Sequence, residues 1–327
     1  MRRERAKVAR CGVLAGSDAD PRCDRSFLKW RDRRARSHAV TFVLARHRGR
    51  PVNDLLPLLD HALDAAFAAG TAILAVYEGG FAVDRKADRS PVTKADLDAD
   101  AAIRAALLPT GVPVLSEEGA MVSMDTRQAW RRYWLVDPLD GTKEFVQRSA
   151  EFTVNIALME RDHLPLSTLG GSTPVAGVLY APVQDVLYFA WKGGGAYRVK
   201  GARTFAGRAA YELAALGERL PMTDHRDVYT IAASRSHMSP DTEAFIRRKR
   251  EEHGEVVLAV MGSALKICLV AEGAADVYPR YAPTMEWDTA AGHAIALEAG
   301  RDVVDVTTGE RMRYNKQELV NQWFIVE

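Results

Sequence analysis

The stretch "YWLVDPLDGTKEF", Tyr133 to Phe145, decides how this chain is read. Trp134, Leu135 and Val136 form an apolar run of the kind that fills a buried strand. The run ends in two aspartates, Asp137 and Asp140, held apart by Pro138 and Leu139, and Gly141 and Thr142 follow. Taking an ionised carboxylate out of water costs on the order of several kcal/mol unless a partner compensates. Two of them at the end of one buried strand are matched by a divalent cation.

Other acidic residues share this context. Glu117 and Glu118 follow the apolar "PVL", Asp288 sits in "EWDTAAGHA", and Asp96 sits in "SPVTKADLD". Carboxylate oxygens are hard ligands suited to Mg²⁺ or Mn²⁺. No histidine or cysteine falls among these sites, which argues against zinc. Each site also has a purely structural reading. Asp140-Gly141 fits a simple turn, and Asp288 fits an N-cap for a helix starting at Thr289. Thr93 and Asp96 fit a capping box, and Glu117-Glu118 fits a solvated loop.

Working outward, "NDLLPLLDHALDAAFAAGTAILAVYEGG" from Asn53 reads as an amphipathic helix closed by Gly79-Gly80. A polar hairpin-like segment follows, then a helix from about Lys94 to Leu108 that stops at Pro109, then a short strand in "VPVLSEEG". Strands are expected at Phe152–Leu158, Val175–Tyr180 and Val186–Trp191, forming an antiparallel meander. The second half alternates: strand Tyr229–Ala233, helix Thr242–His253, strand Val256–Val260, helix Ser263–Ala271, strand Ala275–Tyr278 and helix Thr289–Ala299. The expected division is a basic leader over 1–50, an α+β domain over 51–205 with most of the acidic site, and an α/β domain over 206–327.

Charge supports that division. Residues 1–50 carry 15 Lys/Arg against 5 Asp/Glu, while the other 277 residues carry 29 against 38. The leader has no sustained periodicity and reads as a disordered arm or as the product of a start codon set too far upstream, with contact to an anionic membrane or RNA as the sharper alternative. The body is mildly acidic, so no nucleic-acid-binding domain is expected. The three cysteines, Cys11, Cys23 and Cys268, form no C-x-x-C and fit a reducing compartment. No run of about 18 apolar residues suggests a membrane span. Gly12 and Asp18 to Asp24 interrupt any secretory apolar core. The expected location is cytoplasmic, with peripheral contact at the inner face of the cell membrane left open. Oligomeric state is not legible.

The motifs "SPVTKAD", "PVLSEEG", "RYWLVDPLDGTKEF", "EFTVNIAL", "GVLYAPV", "SRSH", "GSALKICLVAEG", "YPR" and "WDTAAGHA" occur in this order over residues 54–327. Together they resemble the metal-dependent, lithium-sensitive phosphatase superfamily of inositol monophosphatase and fructose 1,6-bisphosphatase, and within it the bacterial 3'(2'),5'-bisphosphate nucleotidases. The resemblance implies an α-β-α-β-α sandwich and two or three Mg²⁺ ions. It implies that Glu117, Asp137 and the Leu139 carbonyl hold one ion, and Asp137, Asp140 and Asp288 a second. It gives Thr142 and Asp96, aided by Glu117, the activation of the attacking water, and gives the Gly141 and Thr142 amides the phosphate oxygens. Nucleotide contacts map onto His237, Ser263, Lys266 and Arg280, where Ser263 opens a helix with Lys266 one turn on. Ser263 as a helix cap, Lys266 as a surface lysine and His237 as a loop residue are the structural alternatives. "GSALK" has Ala264, and "LSEEG" has Gly119, where the resembled pattern carries Ser and Asp.

The activity so implied is hydrolysis of adenosine 3',5'-bisphosphate to AMP and phosphate. A polyol phosphatase of the inositol monophosphatase type and a non-catalytic nucleotide-binding regulator are the alternatives. A two-metal carboxylate site lowers the pKa of water and neutralises the transferring phosphoryl group. There is no Cys-x5-Arg nucleophile loop, so a covalent intermediate is not required.

Overall fold

The computed structural model describes residues 54–79, 83–85, 91–162, 171–223, 226–234 and 239–327. The leader over 1–50, with its apolar Ala39–Ala45 run, and His237 lie outside these residues. Residues Pro51–Glu327 form one compact unit.

Helix α1 (Leu55–Gly79) buries Leu59, Leu63, Phe67 and Ile73, residues spaced to share one helical face. The hairpin follows as strands β1 (Val83–Arg85) and β2 (Pro91–Thr93), paired antiparallel. Helix α2 (Lys94–Leu107) packs on α1. Among the described residues α1 is the one helix long and apolar enough to cross a bilayer, although Asp60, His61 and Asp64 interrupt its apolar run. Half of its apolar window is buried against protein, as in a core helix.

Strands β3 (Val114–Ser116) and, past helix α3 (Met124–Ala129), β4 (Arg132–Asp140) pair in parallel. After helix α4 (Thr142–Val146) the expected meander appears as β5 (Thr153–Arg161), β6 (Ser172–Ala181), β7 (Val186–Trp191), β8 (Gly195–Lys200) and β9 (Glu218–Arg219). The seven strands β3 to β9 lie in sequence order in one sheet. The 205/206 junction falls between β8 and β9, so this sheet continues past it.

Helix α5 (Ala210–Leu216) precedes β9. Beyond it come β10 (Tyr229–Ser234), α6 (Pro240–His253), β11 (Val256–Met261), α7 (Leu265–Ala271), β12 (Tyr278–Arg280), α8 (Glu286–Glu298), β13 (Val303–Asp305) and β14 (Phe324–Val326). β10 and β11 pair in parallel, β14 lies between β12 and β13, and a bridge from Ile231 to Val277 joins the two groups. α1 and α2 cover one face of the large sheet, α8 covers the other, and α7 reaches β10 and β12 while α6 lies on β11 and β12. This is the α-β-α-β-α sandwich.

The apolar run that opened the reading is explained by this layering. Strand side chains alternate faces. Trp134 and Val136 join the core under α1 and α2, while Tyr133 and Leu135 join the core under α8. With helices on both faces the strand has no polar side, hence no alternation in its sequence.

Several expected boundaries move, and three of them bear on the acidic cluster and its surroundings. α8 starts at Glu286, three residues before Thr289, so Asp288 is inside the first turn and not the N-cap. α7 starts at Leu265, because Ser263 takes φ 47° in the left-handed region and cannot be helical. β12 begins at Tyr278, because Ala275 donates to Leu269 O and Val277 O accepts from Ala232.

Candidate active site

Asp137 has the parity of Tyr133 and Leu135, which aims it at the face covered by α8. The β4–β5 register runs Asp137 opposite Asn155 and then shifts before Asp140, which pairs with Thr153. Pro138 and Leu139 form that irregularity, and it re-aims the chain. Asp137 is buried and accepts the Leu139 amide at 3.0 Å. Asp140 Oδ2 accepts the Ala264 amide at 2.6 Å and Asn155 Nδ2 at 3.3 Å. Gly141 then takes φ 95°, a left-handed conformation suited to glycine, and turns the chain into α4.

Glu117 follows β3 directly, its amide bonded to Val136 O at 3.1 Å. The parallel β3–β4 pairing therefore brings Glu117 beside the Asp137 end of β4. Asp96 serves both readings of its motif. Its Oδ2 accepts the Thr93 amide and hydroxyl, each at 2.7 Å, closing the capping box. Its Oδ1 accepts the Thr142 hydroxyl at 3.3 Å. Thr142 Oγ1 also lies 3.5 Å from the Leu139 carbonyl.

A cavity of about 240 Å³ gathers these residues with the second half of the chain. Glu117, Asp140, Gly141, Thr142, Ser263, Lys266, Arg280 and Asp288 all line it. Asp137, Asp96 and Leu139 lie beneath that lining, each no more than 2% exposed. Lys266 is buried, not a surface lysine; its ammonium caps Ser263 O and lies 5.4 Å from the Tyr278 ring centre. Arg280 Nη2 donates to Pro283 O at 3.2 Å, while its Nε is enclosed without a hydrogen-bond partner.

The electrostatics are those of a crowded acidic centre. Burial, then Glu117, Asp140, Asp288 and Asp96, pushes the Asp137 carboxyl well above the usual range. Burial, then Asp140, does the same to Asp288. Asp140 is pushed up to about 6 by burial, against the pull of Lys266. Burial also lowers the Lys266 ammonium to about 8, opposed by Asp140.

A divalent cation fits this set. The donors are carboxylates and a carbonyl, and the described lining holds no histidine or cysteine. Among the described residues no three His, Cys, Asp or Glu side chains close into a finished ligand cage. Neighbouring carboxylates repel each other, and a cation removes that repulsion.

Some contributors were not singled out from sequence. Asn155 is a fully buried polar residue inside the apolar "FTVNIAL", and that contrast was the available signal. Ser116 Oγ donates to Asp100 Oδ1, and Asp100 Oδ2 accepts Arg104 Nε at 2.6 Å, which fixes the strand end before Glu117. A Cβ at Gly119 would lie 2.4 Å from the Arg104 guanidinium, so the glycine is what lets Arg104 lie there.

The family model of the inositol monophosphatase family matches residues 54–324. The chain belongs to that family. It is 42% identical over 265 residues to the 3'(2'),5'-bisphosphate nucleotidase CysQ of Salmonella typhimurium, covering 80% of this chain and 95% of that protein. The crystal structure of CysQ from Bacteroides thetaiotaomicron, described as a bacterial member of the inositol monophosphatase family, superposes with a TM-score of 0.74. It shares 48% identity and covers 84% of this chain and 98% of its own. SuhB, an extragenic suppressor protein from Bartonella henselae, gives a TM-score of 0.62 at 25% identity, covering 83% of this chain and 93% of its own. Of the residues that the sequence motifs single out as cation ligands, Glu117, Asp140 and Asp288 line one cavity in this family member, and Asp137 and Leu139 are buried outside its lining.

Proposed function

We propose that this chain is a divalent-cation-dependent phosphomonoesterase that hydrolyses adenosine 3',5'-bisphosphate to AMP and phosphate. The observation that carries the reading is the cavity itself, where Glu117, Asp140 and Asp288 share one lining with Lys266 and Arg280. Relatives at 42% identity that bear the name 3'(2'),5'-bisphosphate nucleotidase support the substrate class.

Glu117, Asp137 and the Leu139 carbonyl would hold one Mg²⁺, and Asp137, Asp140 and Asp288 a second. The cations supply charge neutralisation on the phosphoryl oxygens and a lowered water pKa. The chain's own residues do the rest. Thr142 Oγ1 takes a proton from the attacking water as it passes its own to Asp96 Oδ1, along the 3.3 Å contact already present. Asp96 is held for this by the two Thr93 bonds on its other oxygen. The Gly141 and Thr142 amides orient the phosphoryl group. Lys266 and the Arg280 guanidinium, which share the cavity lining with Ser263, receive the second phosphate, and His237, outside the described residues, is a further proposed contact. Two cationic side chains beyond the reacting phosphate favour a bisphosphate over a monophosphate.

The test is phosphate release by the purified protein with Mg²⁺, comparing adenosine 3',5'-bisphosphate with inositol monophosphates. A strong preference for the nucleotide is expected. Equal rates would move the assignment to a polyol phosphatase, and no release from either would leave a binding protein. Sedimentation with anionic vesicles, with and without residues 1–50, tests the peripheral membrane contact.

A further inference from the structure

The first turn of α8 is tied to a segment with no role in the mechanism above, "RYNKQELVN", Arg313 to Asn321. Glu286 is fully buried and accepts from three donors: Asn315 N at 2.7 Å, Lys316 N at 3.1 Å and Lys316 Nζ at 2.6 Å. Lys316 Nζ also donates to Arg313 O at 3.2 Å. A buried carboxylate satisfied in this way is a stiff junction. Asn321, 5% exposed, reaches further. Its Nδ2 lies 2.7 Å from Met285 O, 3.0 Å from Thr289 Oγ1 and 3.1 Å from Thr284 Oγ1. Its backbone amide donates to Thr284 O, and the Glu286 amide donates to Leu319 O, each at 2.8 Å. The side-chain amide cannot be turned over, since Oδ1 would then face the Met285 carbonyl.

These bonds converge on one residue. Met285 N donates to Asp288 Oδ2 at 2.9 Å. Asn321 therefore grips Met285 and Thr289, on either side of Asp288, and Met285 in turn holds the Asp288 carboxylate. We propose that Asn321, braced by the buried Glu286–Lys316 pair, is a positioning residue that sets the orientation of Asp288 toward its cation. The inference rests on the metal-centre reading above. A free carboxylate in a fraying first turn samples several rotamers; one held at Oδ2 presents Oδ1 in a single direction. Outer groups that orient metal ligands carry about 10–100-fold in metal affinity or activity.

The experiment is Mn²⁺ binding, followed by paramagnetic resonance, and the Mg²⁺ dependence of turnover for the full chain and Asn321→Ala. A control, Val199→Ala in β8, is buried in the other core, beside Gly217 and apart from the residues that hold this loop. Asn321→Ala should weaken Mn²⁺ binding and raise the Mg²⁺ activation constant by about 10–100-fold, with KM for nucleotide at saturating Mg²⁺ shifted far less. Asn321→Ser, which keeps one donor, should give a smaller loss and serves if the alanine variant does not fold. Binding by Asn321→Ala equal to that of the unaltered chain overturns the inference and leaves the metal centre standing. So does an equal loss in Val199→Ala. No Mn²⁺ binding by the unaltered chain overturns the metal centre and the inference with it.

Discussion

Asp140 takes both of its hydrogen bonds on Oδ2, from Ala264 and Asn155, which frees Oδ1 for a cation. Asp140→Asn keeps the shape and removes the charge. Its kcat should fall by at least about 10²-fold, the scale of losing one preorganised electrostatic contact in a transition state. Turnover near that of the unaltered chain at saturating Mg²⁺ would remove Asp140 from the metal centre. Lys266 gives a pH signature. Burial lowers its pKa to about 8, so its charge is present below that pH and lost above it. If it reads the second phosphate, kcat/KM for the bisphosphate should fall as pH rises through about 8, since that ratio reports the free enzyme. Lys266→Met should lose this limb; a limb that persists in Lys266→Met belongs to another group. At this scale the acidic residues were legible because buried carboxylates are expensive and therefore conspicuous. Ser263 was less so: its φ of 47° puts it outside α7, and serine gives no warning of a left-handed conformation. Asn321 was invisible, because its three acceptors come from residues 32 to 37 positions earlier in the chain.

The decisive element is α8, which carries Asp288 and presses on the large sheet. At Gly177 of β6 a Cβ would lie 2.4 Å from Ala291 O and 2.9 Å from Ala294 Cβ. Helix and strand meet there backbone to backbone, and the glycine is a matter of space, not of dihedral freedom. Gly177→Ala should force α8 off the sheet and cost about 1–3 kcal/mol, the range for overpacking. Thermal denaturation measures it, and an unchanged melting temperature would show that the contact yields. Periodicity gave the types of the longer elements from α1 to α8, while the short α3, α4, α5, β8 and β9, and the strands β13 and β14 after α8, were not read. Boundaries failed where capping was unusual. α8 has Met285 at its N-cap and draws its cap from Asp288, so the polar residue that looks like a start signal lies inside the turn.

Over the whole molecule, the family match begins at residue 54 and leaves the basic leader aside. Deleting residues 1–50 should leave hydrolysis unchanged and stability within about 0.5 kcal/mol, as for segments away from any core. Aggregation or lost activity of the shortened chain would show that the leader packs on the body. The layered architecture was legible as alternating elements. Strand order was legible in the β5–β7 meander, but not at the end of the chain, where periodicity does not say that β14 pairs between β12 and β13.

That strand order has a consequence for synthesis. β14 pairs with β12 on one side and β13 on the other, so the strand translated after both of them sits between them. A nascent chain still inside the ribosome holds β12 and β13 with the gap between them unfilled, and Asn321 is delivered only just before. The residues proposed to hold the cations are translated before Asn321, so the support of Asp288 follows them in synthesis. A chain stopped after Asn321 loses Phe324 and Val326, both buried. At about 1.5–3 kcal/mol for each such side chain, that removes a large part of the roughly 5–15 kcal/mol holding a domain together. Such a product should appear in the insoluble fraction or fall to proteases, and a soluble, cooperatively melting one would show that the gap can close without its middle strand.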